Sequence, residues 1–103
     1  MYVIRRVFKV KPGTTRKAAE IIWKMGKLYE GAGQRSPSQV YTSGGSMPGP
    51  ANTVYMEWTE ETIQSPYREG LPNPEGMTDL YHQLWEVHEE SYIEFYEMYH
   101  PPS

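Results

Sequence analysis

The chain has 103 residues, a 38% hydrophobic share and a net charge of −3 from ten basic and thirteen acidic side chains. That length predicts one domain over residues 1–103 with one modest core, and the acidic balance disfavours nucleic acid as a partner, because phosphate contacts need a basic surface. With no cysteine, disulfides, thiolate-bound zinc and thiol nucleophiles are excluded.

Nine tyrosines, three tryptophans and two phenylalanines make up part of the apolar deficit. Their polar tips suit a wet pocket or a subunit interface. No apolar run approaches the roughly 20 residues that span a bilayer, and the first residues lack the apolar stretch of a signal peptide. The expectation is a cytoplasmic protein with no membrane partner.

Residues 2–10 alternate as a strand does. Tyr2, Ile4, Phe8 and Val10 share one face, with Arg6 as the exception, and Val3, Arg5, Val7 and Lys9 share the other. The first face is expected to meet helices. Pro12-Gly13 breaks the strand and Thr14 or Thr15 can cap a helix. Ala18, Ile21, Ile22, Met25, Leu28 and Tyr29 then form one buried helical stripe, which Gly31 and Gly33 can end.

Gln39–Ser43 reads as a short strand. Gly44, Gly45, Pro48 and Pro50 make a loop, and Thr53–Thr59 returns as a strand with Val54, Met56 and Trp58 on one face and Tyr55 and Glu57 on the other. The pair predicts a hairpin with a long tip. Residues 60–64 could make one helical turn, but Pro66, Gly70, Pro72 and Pro74 predict a loop beyond it. A second helix follows, with Asn73 as cap, Pro74 at its first position and Glu75 and Asp79 near the positive end of its dipole. Its expected buried stripe is Met77, Leu80, Tyr81, Leu84, Trp85 and Val87. Residues 91–99 carry two patterns. Tyr, Ile and Phe favour a strand, while Tyr81, Trp85, His88, Tyr92, Phe95 and Tyr99 would continue the helical stripe. The strand is the reading adopted.

The order β-α-β-β-α-β predicts an α+β, ferredoxin-like fold: a four-stranded antiparallel sheet with two helices on one face. The other face, with Val3, Arg5, Val7, Tyr41, Tyr55 and one set from 92–99, is too apolar to stand in water. A second copy packed on it around a two-fold axis is the simplest remedy.

Val7-Phe-Lys-Val-Lys-Pro-Gly13 running into a helix, and Tyr55-Met-Glu-Trp-Thr-Glu-Glu61 at the end of the third strand, carry a family resemblance. With the element order, the chain resembles the dimeric α/β-barrel superfamily, which includes antibiotic-biosynthesis-monooxygenase-like and NIPSNAP-type proteins. The resemblance implies a homodimer whose sheets form a barrel, with a pocket in the barrel or between each sheet and its helices. Oxygenase-like members often carry a histidine shortly after the third strand, and Glu60–Leu71 contains none. The haem-degrading branch has an Asn, Trp and His set; Asn52, Trp58, Trp85 and His88 do not match its spacing, so those roles are not carried over.

Arg5 and His88 are the candidate catalytic residues. Arginine forks onto planar oxyanions such as an enolate, and histidine titrates near neutrality. The alternatives are a pairing of Arg5 with Glu57 or Glu94, and an ordinary structural histidine. Tyr41, Tyr55 and Tyr96, with Trp58 and Trp85, are the candidate ligand-binding residues; interface tyrosines and core tryptophans are the other readings. His82 and His88 are six apart on the expected second helix, so they point to different faces, unlike a metal-binding pair, and no metal site is expected. The acidic Glu89, Glu90, Glu94 and Glu97 read as a solvated face, and Ser43–Ser46 as a flexible hairpin tip. Two functions stay open. One is a homodimer binding a small aromatic or polyketide-like molecule, as a cofactor-independent monooxygenase or isomerase if catalytic. The other is a non-catalytic assembly or ligand-sensing module whose aromatic face is only a dimer interface. Haem held by His88 is a third, weaker option; otherwise no cofactor is expected.

Overall fold

In the computed structural model, which describes residues 1–63 and 74–102, the chain runs β1 (Tyr2–Val10), α1 (Thr15–Gly31), β2 (Gln39–Ser43), β3 (Thr53–Glu60), α2 (Met77–Val87) and β4 (His88–Glu97). The sheet order is β2-β3-β1-β4 with every neighbouring pair antiparallel. This is the ferredoxin-like arrangement. The most apolar strand, β1, takes a central place and pairs along its length with β3 and β4.

Period two decides which side chains meet the helices. Ile4, Phe8 and Val10 of β1 and Val54, Met56 and Trp58 of β3 are buried with Ile22 and Met25 of α1 and Met77, Leu84 and Val87 of α2. Each large aliphatic or aromatic chain withdrawn from water here stabilises the fold by roughly 1.5–3 kcal/mol. Arg6, the exception on that face, is nonetheless 7% exposed.

Helix α1 begins without a side-chain cap. Thr14 Oγ1 instead donates to the Lys11 carbonyl, closing the turn, while the Thr14 carbonyl accepts from the Ala18 amide at 2.8 Å. Just past the end of the helix, Gly33 is left-handed (φ +71°) and its amide reaches back to the Glu30 carbonyl at 3.0 Å.

Three expectations need correction. The second helix starts at Met77, not Pro74, because Pro74-Glu75-Gly76 closes a turn (Met77 amide to Pro74 carbonyl, 3.1 Å) and Gly76 at φ +89° cannot continue a right-handed helix. The proposed cap Asn73, and most of the loop expected before it, lie outside the described residues. Trp85 is not part of the buried stripe: it is 72% exposed, on the outer side of α2. His88 is not helical. Its backbone (φ −74°, ψ 137°) is extended and β4 starts there, pairing with Val10 across a bulge between Lys9 and Val10. The free edge of β1 supplied the hydrogen bonds that settled residues 88–97 as strand.

The hairpin tip depends on Gly44. Its φ is +84°, and a Cβ added there would overlap the Ala51 backbone and the Pro50 carbonyl oxygen. Gly44→Ala is expected to lower stability by about 2 kcal/mol through left-handed strain and collision, measurable as a shifted urea midpoint.

Candidate functional site

The register brings four of the seven sequence-predicted site residues to one spot on the sheet face that, among the described residues, carries no helix. Arg5 on β1 lies between Glu57 of β3 and Glu94 of β4. It pairs with Glu57: Nε and Nη2 donate to Glu57 Oε1 at 3.0 and 2.8 Å. Tyr41 Oη donates to the same oxygen at 2.8 Å, so Oε2 takes no part in these bonds. The Tyr41 and Tyr55 rings stack with centroids 5.0 Å apart. The Arg5 guanidinium carbon lies 5.9, 6.0 and 5.3 Å from the ring centres of Tyr41, Tyr55 and Tyr96, within reach of cation–π attraction. Tyr55 Oη and Ser43 Oγ share a hydrogen bond of 3.0 Å. A shallow depression of about 400 Å³ opens beside this group, lined by Val3, Arg5, Glu57, Tyr96, Glu97 and Met98.

Burial, and then the bond to Glu57, pushes the Tyr41 hydroxyl up to about 12. Tyr41 is therefore a donor at neutral pH and not a base. The bond to Glu57 likewise raises the Arg5 guanidinium.

The remaining predicted residues lie elsewhere. Trp58 points to the opposite face of the sheet, into the core. Trp85 stacks on His88, with ring centres 4.9 Å apart and planes 9° from parallel. His88 stands six residues along β4 from Glu94, the partner of Arg5. At about 3.3 Å per residue that is roughly 20 Å, so within one subunit Arg5 and His88 do not reach one substrate atom. Glu57, the centre of the cluster, was legible only as a possible partner of Arg5; a carboxylate in mid-strand on the tyrosine face was the signal.

A second cluster lies between the sheet and the helices. Tyr29 Oη of α1 and Tyr81 Oη of α2 are 2.7 Å apart. The Arg35 guanidinium sits 3.8 Å over the Tyr29 ring and 4.3 Å over the Trp58 ring, with Nη1 3.5 Å from Met56 Sδ. Arg6, whose cross-strand neighbour is Met56, lies 4.8 Å over the Phe8 ring. Its buried Nη1 has no hydrogen-bond partner among the described residues. Burial, and then the bond to Tyr81, pushes the Tyr29 hydroxyl up to about 12, against the pull of Arg35 and Arg6. Only the misfit of Arg6 in the alternating pattern hinted at this group.

Among the described residues no set of three or more His, Asp or Glu is placed to hold a metal ion, and no helix is long and apolar enough to cross a membrane.

No protein-family model and no curated protein matches this sequence. The fold does have solved counterparts. An uncharacterised NIPSNAP domain protein from Burkholderia xenovorans superposes with a TM-score of 0.70 over 96% of this chain and 95% of its own, at 17% identity. A NIPSNAP family protein from Agrobacterium tumefaciens gives 0.63 over 91% and 89% at 15% identity. An uncharacterised NIPSNAP-like domain protein, also from Burkholderia xenovorans, gives 0.62 over 98% and 89% at 13% identity. The chain thus has the ferredoxin-like fold of NIPSNAP-domain proteins, in agreement with the resemblance read from Val7–Gly13 and Tyr55–Glu61.

Proposed function

We propose that the chain pairs with a second copy of itself through the open sheet face, forming a dimeric barrel, and that the group around Arg5 binds a small planar hydroxyaromatic molecule inside it. The observation that carries this reading is a face with no helix on it among the described residues, where Tyr41, Tyr92 and Tyr96 are 37%, 44% and 43% exposed around a half-buried ion pair. A tyrosine-rich surface of this kind suits an interface, with apolar ring faces and wet tips. Its charges include both Arg5 and Lys9 and Glu57 and Glu94, so the face can complement itself about a two-fold axis. Stacked rings suit a flat ligand, and Glu57 Oε2 can accept its hydroxyl.

Binding is favoured over turnover. An oxygenase or isomerase that acts through an enolate needs a base near neutrality. Tyr41 keeps its proton, Arg5 is already engaged by Glu57, and His88 is at the far end of β4.

Sedimentation equilibrium at micromolar concentration is expected to give twice the subunit mass of 12.0 kDa. Titration with 2-naphthol is expected to show binding that Arg5→Ala weakens at least tenfold with the dimer intact. Loss of dimer and binding together would make Arg5 structural, and a well-folded monomer would remove the enclosed site altogether.

A further inference from the structure

We propose that Glu57 is the specificity-determining residue of the site around Arg5, and that it admits uncharged aromatic hydroxyl donors while excluding aromatic carboxylates and phosphates. This selectivity rests on the open face binding a hydroxyaromatic molecule, as proposed above.

An arginine beside a depression ordinarily recruits an oxyanion, because its guanidinium forks onto planar carboxylates and phosphates. Here the chain itself fills that role. Glu57 is a direct cross-strand neighbour of Arg5, and its Oε1 takes both Nε and Nη2 at 3.0 and 2.8 Å. Tyr41 Oη gives the same oxygen a third bond at 2.8 Å. An incoming anion would have to displace a carboxylate that is tethered, aligned and braced. It would also meet more negative charge. Glu94 faces Arg5 from β4, and Glu97 lines the depression. Neither forms an ion pair among the described residues. Lys9, the other cation of this face, is four residues along β1 and opposite Glu90, roughly 13 Å away. One guanidinium is thus set against three carboxylates. A site rejects a competitor by the charge it sets against it as much as by its contacts with the ligand it takes.

What remains on offer is an acceptor. As the anionic partner of Arg5, Glu57 has no proton to give, and its Oε2 takes no hydrogen bond from the described residues. A bond from a neutral hydroxyl to a charged oxygen is among the stronger kinds. A site that depends on such a bond rejects the analogue that lacks the hydrogen. Tyr41 is a positioning residue: its hydroxyl fixes Glu57 while its ring stacks on Tyr55. Arg5 and Glu57 both line the depression, whose volume of about 400 Å³ falls within the roughly 300–1,000 Å³ of small-molecule sites.

The test is a calorimetric titration of the full chain at neutral pH with 2-naphthol, 2-methoxynaphthalene and sodium 2-naphthoate, which share one ring system. 2-Naphthol is expected to bind at least tenfold more tightly than either of the others. Equal binding of 2-naphthol and 2-methoxynaphthalene would overturn the selectivity and leave the aromatic site standing. Preference for 2-naphthoate would overturn it and make Arg5 the anchor. Binding of none of the three would remove the site itself, and the selectivity with it. Glu57→Gln keeps the shape and removes the charge. It is expected to weaken 2-naphthol at least tenfold and to strengthen 2-naphthoate at least tenfold, because Arg5 is released. Unchanged preferences in that variant would overturn the role of Glu57. Tyr41→Phe keeps the stacked ring at an exposed position, and decides the matter if Glu57→Gln does not fold. It is expected to cut the ratio of 2-naphthol to 2-methoxynaphthalene affinity several-fold, whereas a purely structural residue would lower both alike. An unchanged ratio would overturn the parts given to Glu57 and Tyr41.

Discussion

Phe8→Ala is expected to lower the unfolding free energy by about 3–5 kcal/mol, a large part of the roughly 5–15 kcal/mol that holds a domain together. Phe8 is 1% exposed on a central strand, with Val54 and Ser91 as its cross-strand neighbours, inside the only apolar layer between sheet and helices in the described residues. Strand β1 is held on both sides, so the backbone has little room to collapse into the void. The ring also has a second role, because the Arg6 guanidinium lies on it. Truncation removes that aromatic partner and leaves the buried charge less compensated. Phe8→Leu separates the two effects: it restores most of the volume without the ring, and a loss of about 1–2 kcal/mol is expected. Urea unfolding of both variants measures this. A loss under 1 kcal/mol for Phe8→Ala would mean that the layer beneath α1 is not closely packed.

Between pH 10 and 12 the protein is expected to lose about 2 kcal/mol of stability through Tyr29 alone. The ordinary tyrosine value is 10.0, and burial with the Tyr81 bond raises the folded-state value to about 12. Below pH 10 both states keep the proton, and this group gives no pH dependence. Above it the unfolded chain releases the proton while the folded chain retains it, so rising pH favours unfolding until the folded value is passed. Tyr41 adds a smaller effect of the same sign, being more exposed. Lysines titrate in the same range, so the informative quantity is the difference between the protein and Tyr29→Phe. Urea midpoints at pH 9, 10, 11 and 11.5 should converge for the two at high pH. Parallel curves would show that the Tyr29–Tyr81 pair contributes nothing to alkaline unfolding.

How far the site was legible follows from how local its signals are. Arg5 and the tyrosines Tyr41 and Tyr55 could be placed on one face because alternation along a strand is a property of neighbouring residues. That Glu57, and not Glu94, would hold Arg5 was not legible, since both face it across the sheet. The second cluster was less visible still. Arg6 stood out as a charge in an apolar pattern, but Arg35 arrives from a loop and Tyr81 from the other helix, 29 and 75 positions along the chain from where the pattern breaks.

The sequence by itself determined the order of the elements, the two faces of β1 and β3 and the buried side of α1, because each rests on a short-range period and on glycine or proline at the breaks. The tertiary structure alone decided the fate of residues 88–97, where strand and helix patterns coincide: the unfilled edge of β1 offered a row of backbone partners, and His88 left the helix to take the first of them. It also turned Trp85 outward and brought the arginines together, outcomes that depend on which surfaces meet and not on any pattern within one segment.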